Sequence, residues 1–150
     1  MNLIKWDERF IELAKLVGSW SKDPSTKVGA VIVDTKNRII SVGYNGFPRD
    51  VKDSEERLCN RDKKYDIIVH AEANALSFAN RSVEGCTIYS WPFQPCSRCA
   101  GLIIQSGIKR VVTIGEDGER WKDNFLIARQ LFDEAGVVME YYDAKRYRTD

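Results

Sequence analysis

The sequence predicts an α/β fold: one mixed sheet with helices on both of its faces. Three observations lead there. Two apolar, β-branched runs, residues 28–34 and 38–44, flank a short Lys36-Asn37 turn, as in a hairpin. Beyond residue 70, helical stretches alternate with short apolar runs. Two of those helical stretches stop at a glycine, Gly107 and Gly136, the residue that most readily closes a helix.

Each element has its own warrant. Phe10, Leu13, Ala14 and Val17 recur at helical spacing, so residues 5–20 read as an amphipathic helix, which Asp23-Pro24 breaks. Residues 28–34 read as a buried strand and 38–44 as its hairpin partner. Residues 45–66 are polar and too long for a routine connection, which marks them as functional or partly mobile. Ala71, Ala73 and Ala75 favour a helix over 70–80. Residues 86–90 then read as a strand, 96–106 as a helix closed by Gly107, and 109–114 as a strand. A helix over 124–135 and a strand over 137–142 complete the order α-β-β-α-β-α-β-α-β.

Size and composition narrow the function. A chain of 150 residues that is 43% hydrophobic can bury one sizeable core without disulfides, so residues 1–150 are expected to form a single domain. The 23 basic and 22 acidic residues leave a formal charge of +1, which speaks against a protein built to coat nucleic acid. Apolar runs such as Gly29-Ala30-Val31-Ile32-Val33 are too short to cross a membrane. The charged start, with Lys5, Asp7, Glu8 and Arg9, is no signal peptide, and a cytoplasmic location is expected. In that compartment the cysteines, Cys59, Cys86, Cys96 and Cys99, are more often metal ligands or small core residues than disulfides.

Two segments carry the chemistry: His70-Ala71-Glu72 and Pro95-Cys96-Ser97-Arg98-Cys99. Cys96 and Cys99 are three apart, so at the start of a helix both sulfurs lie on one face, where the helix N-terminus favours thiolates. His70 is the one histidine of the chain and begins another helix. Two thiolates and an imidazole make a three-ligand zinc site with an open fourth position, the pattern of catalytic zinc. Water there ionises near neutral pH and becomes a hydroxide nucleophile. Glu72, two residues past His70, points elsewhere on the helix and suits proton transfer rather than ligation. Taken singly, the cysteine pair also reads as a buried helix face and His-x-Glu as chance. A purely structural zinc is a further alternative, with Cys59 or Cys86 as fourth ligand.

H-x-E followed by P-C-x-x-C is the zinc deaminase signature. The chain resembles the cytidine deaminase-like superfamily and, within it, the deoxycytidylate deaminases. Besides those two motifs, the resemblance is carried by Asp23-Pro24-Ser25-Thr26-Lys27-Val28-Gly29-Ala30 and Gly43-Tyr44-Asn45-Gly46-Phe47-Pro48, and spans residues 6–138. It implies a three-layer α/β/α sandwich around a five-stranded mixed sheet. It also implies zinc on His70, Cys96 and Cys99, with Glu72 as proton shuttle, converting dCMP to dUMP and ammonia for thymidylate synthesis.

Residue chemistry, with the resemblance for Asn45 and Arg81, suggests substrate contacts. Ser25, Thr26 and Lys27 are suited to a 5′-phosphate, or are ordinary turn residues after Pro24. Asn45 is suited to the sugar, or to a turn before Gly46. The backbone N–H of Ala71 is suited to the base, and Arg81 to the phosphate or to a solvated helix end. In the resembled family, Gly43, Tyr44, Asn45, Gly46, Phe47 and Pro48 help bind an effector, dCTP activating and dTTP inhibiting, with Mg2+ on the triphosphate. Arg49, Lys52, Arg57, Arg61, Lys63 and Lys64 then either meet effector phosphates or form a solvated, mixed-charge loop.

The chain departs from the family in two places. Ser90-Trp91-Pro92-Phe93-Gln94-Pro95 is one residue longer than the common pattern. The segment from Glu116 to Trp121 lacks the usual tyrosine, where Trp121 is a candidate to stack on the base or a buried surface tryptophan. A homo-oligomer, a hexamer in the resembled family, is expected, with Trp91 and Phe93 as exposed aromatics for its interface. Rival functions are deamination of another free cytosine nucleotide, editing of RNA or single-stranded DNA, which near-neutral charge disfavours, and a non-catalytic zinc module, which Glu72 disfavours.

Overall fold

Strands β1 (Gly29–Val33), β2 (Ile39–Tyr44), β3 (Thr87–Trp91), β4 (Arg110–Ile114) and β5 (Val138–Tyr142) form one mixed sheet in the order β2-β1-β3-β4-β5. The computed structural model describes residues 2–115 and 119–142. β1 pairs antiparallel with both β2 and β3, whereas β3-β4 and β4-β5 are parallel. Parallel neighbours need a crossover, and α5 (Ser97–Gln105) and α6 (Lys122–Glu134) supply the two. The remaining helices are α1 (Asn2–Gly18), α2 (Glu55–Cys59), α3 (Arg61–Ile67) and α4 (Ala71–Phe78).

The central strands are buried on both sides, which is why β1 reads as an unbroken apolar run. Their even-numbered residues Ala30, Ile32 and Ile88 pack with Ala71 and Ala75 of α4, Ala100 and Ile103 of α5, and Ala128 and Phe132 of α6. Odd-numbered Val31, Val33 and Tyr89 pack instead with Phe10, Ile11 and Ala14 of α1. This period-2 division of side chains produces the three-layer α/β/α sandwich expected for the sequence. Among the described residues no helix is long and apolar enough to cross a membrane.

One expectation is corrected. The expected element order has no helix within the polar stretch 45–66, yet α2 and nearly all of α3 lie in it. Ser54 caps α2 by accepting from Arg57 N, and Asn60 caps α3 by accepting from Lys63 N. Two caps, each followed by acids in the first turn, hold helices too short to show an apolar period.

Gly43 serves α4. A Cβ there would lie 2.4 Å from Ala75 N and 2.5 Å from Ala71 O, so only glycine allows β2 and α4 to pack this closely.

Candidate active site

α4 and α5 lie side by side on one face of the sheet, and their N-termini meet. His70 is the N-cap of α4 and Cys96 the N-cap of α5, both with extended backbone, and Cys99 lies one turn into α5. His70 Nδ1 is 3.4 Å from the Sγ of Cys96 and 3.4 Å from that of Cys99. The three donor atoms lie within 4.8 Å of one another, and the group could hold a metal ion. Tetrahedral zinc, with bonds of about 2.3 Å to sulfur and about 2.0–2.1 Å to nitrogen, sets such donors roughly 3.5 Å apart. The observed spacing and the soft sulfur-nitrogen donor set therefore fit zinc without rearrangement.

The electrostatics suit the same purpose. Hydrogen bonding from Cys99, and then from His70, outweighs desolvation and brings the Cys96 thiol down to about 4. Cys99, engaged with Cys96 and buried, is pushed up instead. Hydrogen bonding with Cys96 raises the His70 imidazole above its ordinary value. Glu72, on the first turn of α4, is 4% exposed. Burial pushes its carboxyl above the usual carboxylate range, against the pull of His70.

His70, Ala71, Glu72 and Cys96 line one cleft, with Cys99 buried behind them. Ala71 is the first residue of α4, so its N–H has no partner within the helix. Ser25 and Thr26 line the cleft as well, and so does Asn45. The Asn45 side chain also ties two segments together. Its Oδ1 accepts from Val28 N at 2.9 Å, and its Nδ2 donates to Thr26 O at 2.9 Å.

Other residues singled out in the sequence lie elsewhere. Lys27 is not among the cleft residues and donates to the Ser21 carbonyl. Arg81 is absent from the lining too, and its guanidinium is 3.4 Å from Asp34. Tyr44 meets Trp20 edge-on, and Gly46 bridges to Val69, so the 43–48 segment is woven into the fold around the cleft. Of its basic neighbours, Lys63 pairs with Glu56, while Arg61 and Lys64 reach the cleft.

The long loop after β3 is also defined. Ser90 Oγ donates to Phe93 O at 2.7 Å, and the buried Gln94 donates to Phe125 O at 3.1 Å. Trp91 and Phe93 are half-buried rather than exposed, because Phe93 turns onto Phe125 and into the cleft, while Trp91 packs against the α1 cluster. Trp121 lines the cleft and stacks on Phe125 with ring centroids 6.0 Å apart. Part of the segment before it, residues 116–118, lies outside the described residues.

Sequence reasoning missed Asp23, Tyr65, Phe125 and Arg120 as cleft residues, and offered Lys64 for effector phosphates or a solvated loop rather than for this cleft. The caps at Ser54 and Asn60 were the available signal for α3, which carries Lys64 and Tyr65.

With this geometry established, comparison with known proteins is decisive. The model of the cytidine and deoxycytidylate deaminase zinc-binding region matches residues 4–114. The chain belongs to this family. It is 48% identical over 140 residues to an uncharacterized deaminase in the luxG 3′ region of Aliivibrio fischeri, covering 91% of this chain and 93% of that one. It is 40% identical over 153 residues to the deoxycytidylate deaminase of Homo sapiens, covering 96% and 83%. Among solved structures, it resembles the dCMP deaminase of cyanophage S-TIM5 in complex with dCMP and dUMP. That match has a TM-score of 0.73 at 28% identity and covers 92% of this chain and 97% of that one. The family places the His70, Cys96 and Cys99 cluster within a zinc-binding region, in agreement with the donor geometry.

Proposed function

We propose that this chain hydrolyses dCMP to dUMP and ammonia, supplying dUMP for thymidylate synthesis. The observation that carries the reading is the buried Glu72 on the same cleft wall as a three-donor group that leaves one metal position free. Relatives named deoxycytidylate deaminase match over nearly the whole chain, which supports dCMP as the substrate. Arg61, Lys64 and Arg120 line the cleft, and their positive charge suits a nucleotide rather than a nucleoside.

His70, Cys96 and Cys99 would hold zinc, which when bound makes water nucleophilic near neutral pH. Glu72 performs the proton transfers. It accepts a proton from the attacking water and gives it to the ring nitrogen as oxygen bonds to C4. It then takes the proton of the new C4 hydroxyl and delivers it to the amino group, so that the C4–N bond breaks, ammonia leaves and the carbonyl forms. Its raised affinity for protons, caused by burial, suits a group that must both accept and donate. The Ala71 N–H orients the base, Asn45 faces the sugar, and Ser25 faces the phosphate. Lys27 and Arg81 would reach the nucleotide only by leaving the Ser21 carbonyl and Asp34.

The reading extends to regulation through residues 43–48, with dCTP activating, dTTP inhibiting and Mg2+ on the triphosphate, in a homo-oligomer, expected to be a hexamer. A panel of dCMP, CMP, deoxycytidine, dCTP and an oligonucleotide, followed by ultraviolet absorbance, tests the substrate. Turnover of the oligonucleotide without turnover of dCMP would overturn it. Saturating dCTP and dTTP, with Mg2+, should shift the dCMP saturation curve in opposite directions; an unchanged curve removes the regulatory part.

A further inference from the structure

Of the three basic residues that line the cleft, Lys64 alone is buried, whereas Arg61 and Arg120 are exposed. Lys64 of α3 has a side chain 6% exposed, and it pairs at 3.0 Å with Asp23, which is 5% exposed. An ammonium taken out of water needs more than one partner to compensate it. Asp23 is already heavily used. Its Oδ1 accepts from Ser25 N at 2.8 Å and Thr26 N at 3.3 Å, and its Oδ2 from Asn45 Nδ2 at 3.4 Å. Lys64 makes a second donation, to Ser25 Oγ at 3.2 Å.

Donor counting then exposes a surplus. An ammonium has three N–H groups and a serine one O–H. Two of the Lys64 protons are committed to Asp23 and Ser25, and the third has no acceptor among the described residues. Ser25 Oγ accepts from Lys64, so its own proton is left to donate, again with no acceptor among the described residues. Both residues line the cleft that holds Glu72. A buried ammonium with one unspent N–H, beside the free O–H of the more exposed Ser25, suits an acceptor-rich anion. The Lys64 donor is the buried one of the two, so an anion that accepts from it would offset the cost of keeping an ammonium out of water.

We propose that Lys64 is the specificity-determining residue for the anionic group of the substrate. It sets the direction in which the Ser25 hydroxyl donates and supplies the charge that a phosphate meets. The inference rests on the deamination reading and names what selects the nucleotide over the nucleoside within it. It also gives the α2–α3 segment a purpose, since α3 delivers this charge to the cleft.

The test compares the wild type with Lys64→Met and with the double variant Asp23→Asn/Lys64→Met, which leaves no buried carboxylate orphaned should the single variant fail to fold. Binding of dUMP and of deoxyuridine is measured by calorimetry, alongside kcat and KM for dCMP. Loss of one charged donor should weaken dUMP binding and raise the dCMP KM by at least about tenfold, with kcat and deoxyuridine binding held within about twofold. A double variant that still prefers dUMP to deoxyuridine as strongly as the wild type overturns the proposal, as does an equal loss for both ligands. Wild-type turnover of dCMP is a separate readout. Its failure would sink the deamination reading, whereas an unchanged dUMP preference in the variants sinks this inference alone.

Discussion

Arg110 grips Asp7 with both terminal guanidinium nitrogens, Nη1 to Oδ1 at 2.9 Å and Nη2 to Oδ2 at 2.6 Å. The pair joins α1 to β4 on the sheet face away from the cleft, and Tyr89 and Tyr142 also donate to Asp7. Desolvation pushes the Asp7 carboxyl up, but these bonds outweigh it and hold it below its ordinary value. Its stabilising effect is therefore complete above about pH 3.9, the ordinary aspartate value, and is lost as pH falls through the lower folded one. Asp7→Asn should cost about 2 kcal/mol at pH 7. Urea titrations should show that gap shrinking as pH is lowered below about 3.9, because protonation then removes the same charge from the wild type.

Glu72→Ala separates metal holding from proton transfer. The side chain is not one of the three donors, so zinc content should stay at the wild-type ratio. Turnover of dCMP should fall by about 10²–10⁴-fold, the usual contribution of a positioned acid–base group. Metal analysis and kcat on the same preparation decide it, and retained turnover would remove Glu72 from the reaction.

Removing metal should act on α4 and α5 together. Chelation is expected to abolish activity and to lower the melting temperature, and added Zn2+ should restore both. Cys99→Ser should bind zinc weakly and melt like the chelated wild type, read by calorimetry with metal analysis. A variant that keeps full zinc would mean that Cys99 is no ligand.

Gly43→Ala tests whether this residue belongs to packing. The added Cβ would collide with Ala75 N and Ala71 O, backbone atoms that cannot move aside without displacing α4. A loss of about 1–3 kcal/mol in stability is expected, accompanied by reduced kcat because α4 begins at His70 and Glu72. A variant as stable as the wild type, with only its response to dCTP changed, would assign Gly43 to the effector instead.

Much of this was legible from residue pattern. The unbroken apolar run of β1, the helical spacing of Phe10, Ala14 and Val17, and the glycine closures at 107 and 136 each followed local rules. The metal cluster was legible because its chemistry needs fixed residue types at fixed spacing. Lys64 was not, since its burial depends on Asp23, 41 residues away, and in sequence it sits in a run of solvated charges. Short α2 and α3 were hidden for a related reason: caps rather than an apolar face define them. Trp91 and Phe93 looked exposed because nothing local reveals that the loop folds inward through Ser90.

The meeting of two helix ends at His70 and Cys96 has an electrostatic consequence. Every helix start carries a partial positive charge, and two of them brought to one point repel. With His70 Nδ1 3.4 Å from Cys96 Sγ, the sulfur stands where α4 and α5 converge, and its readiness to ionise provides the counter-charge. A negative sulfur at that point offsets the repulsion of two like-charged helix starts, so the same side chain that would ligate a metal also suits the close approach of α4 and α5.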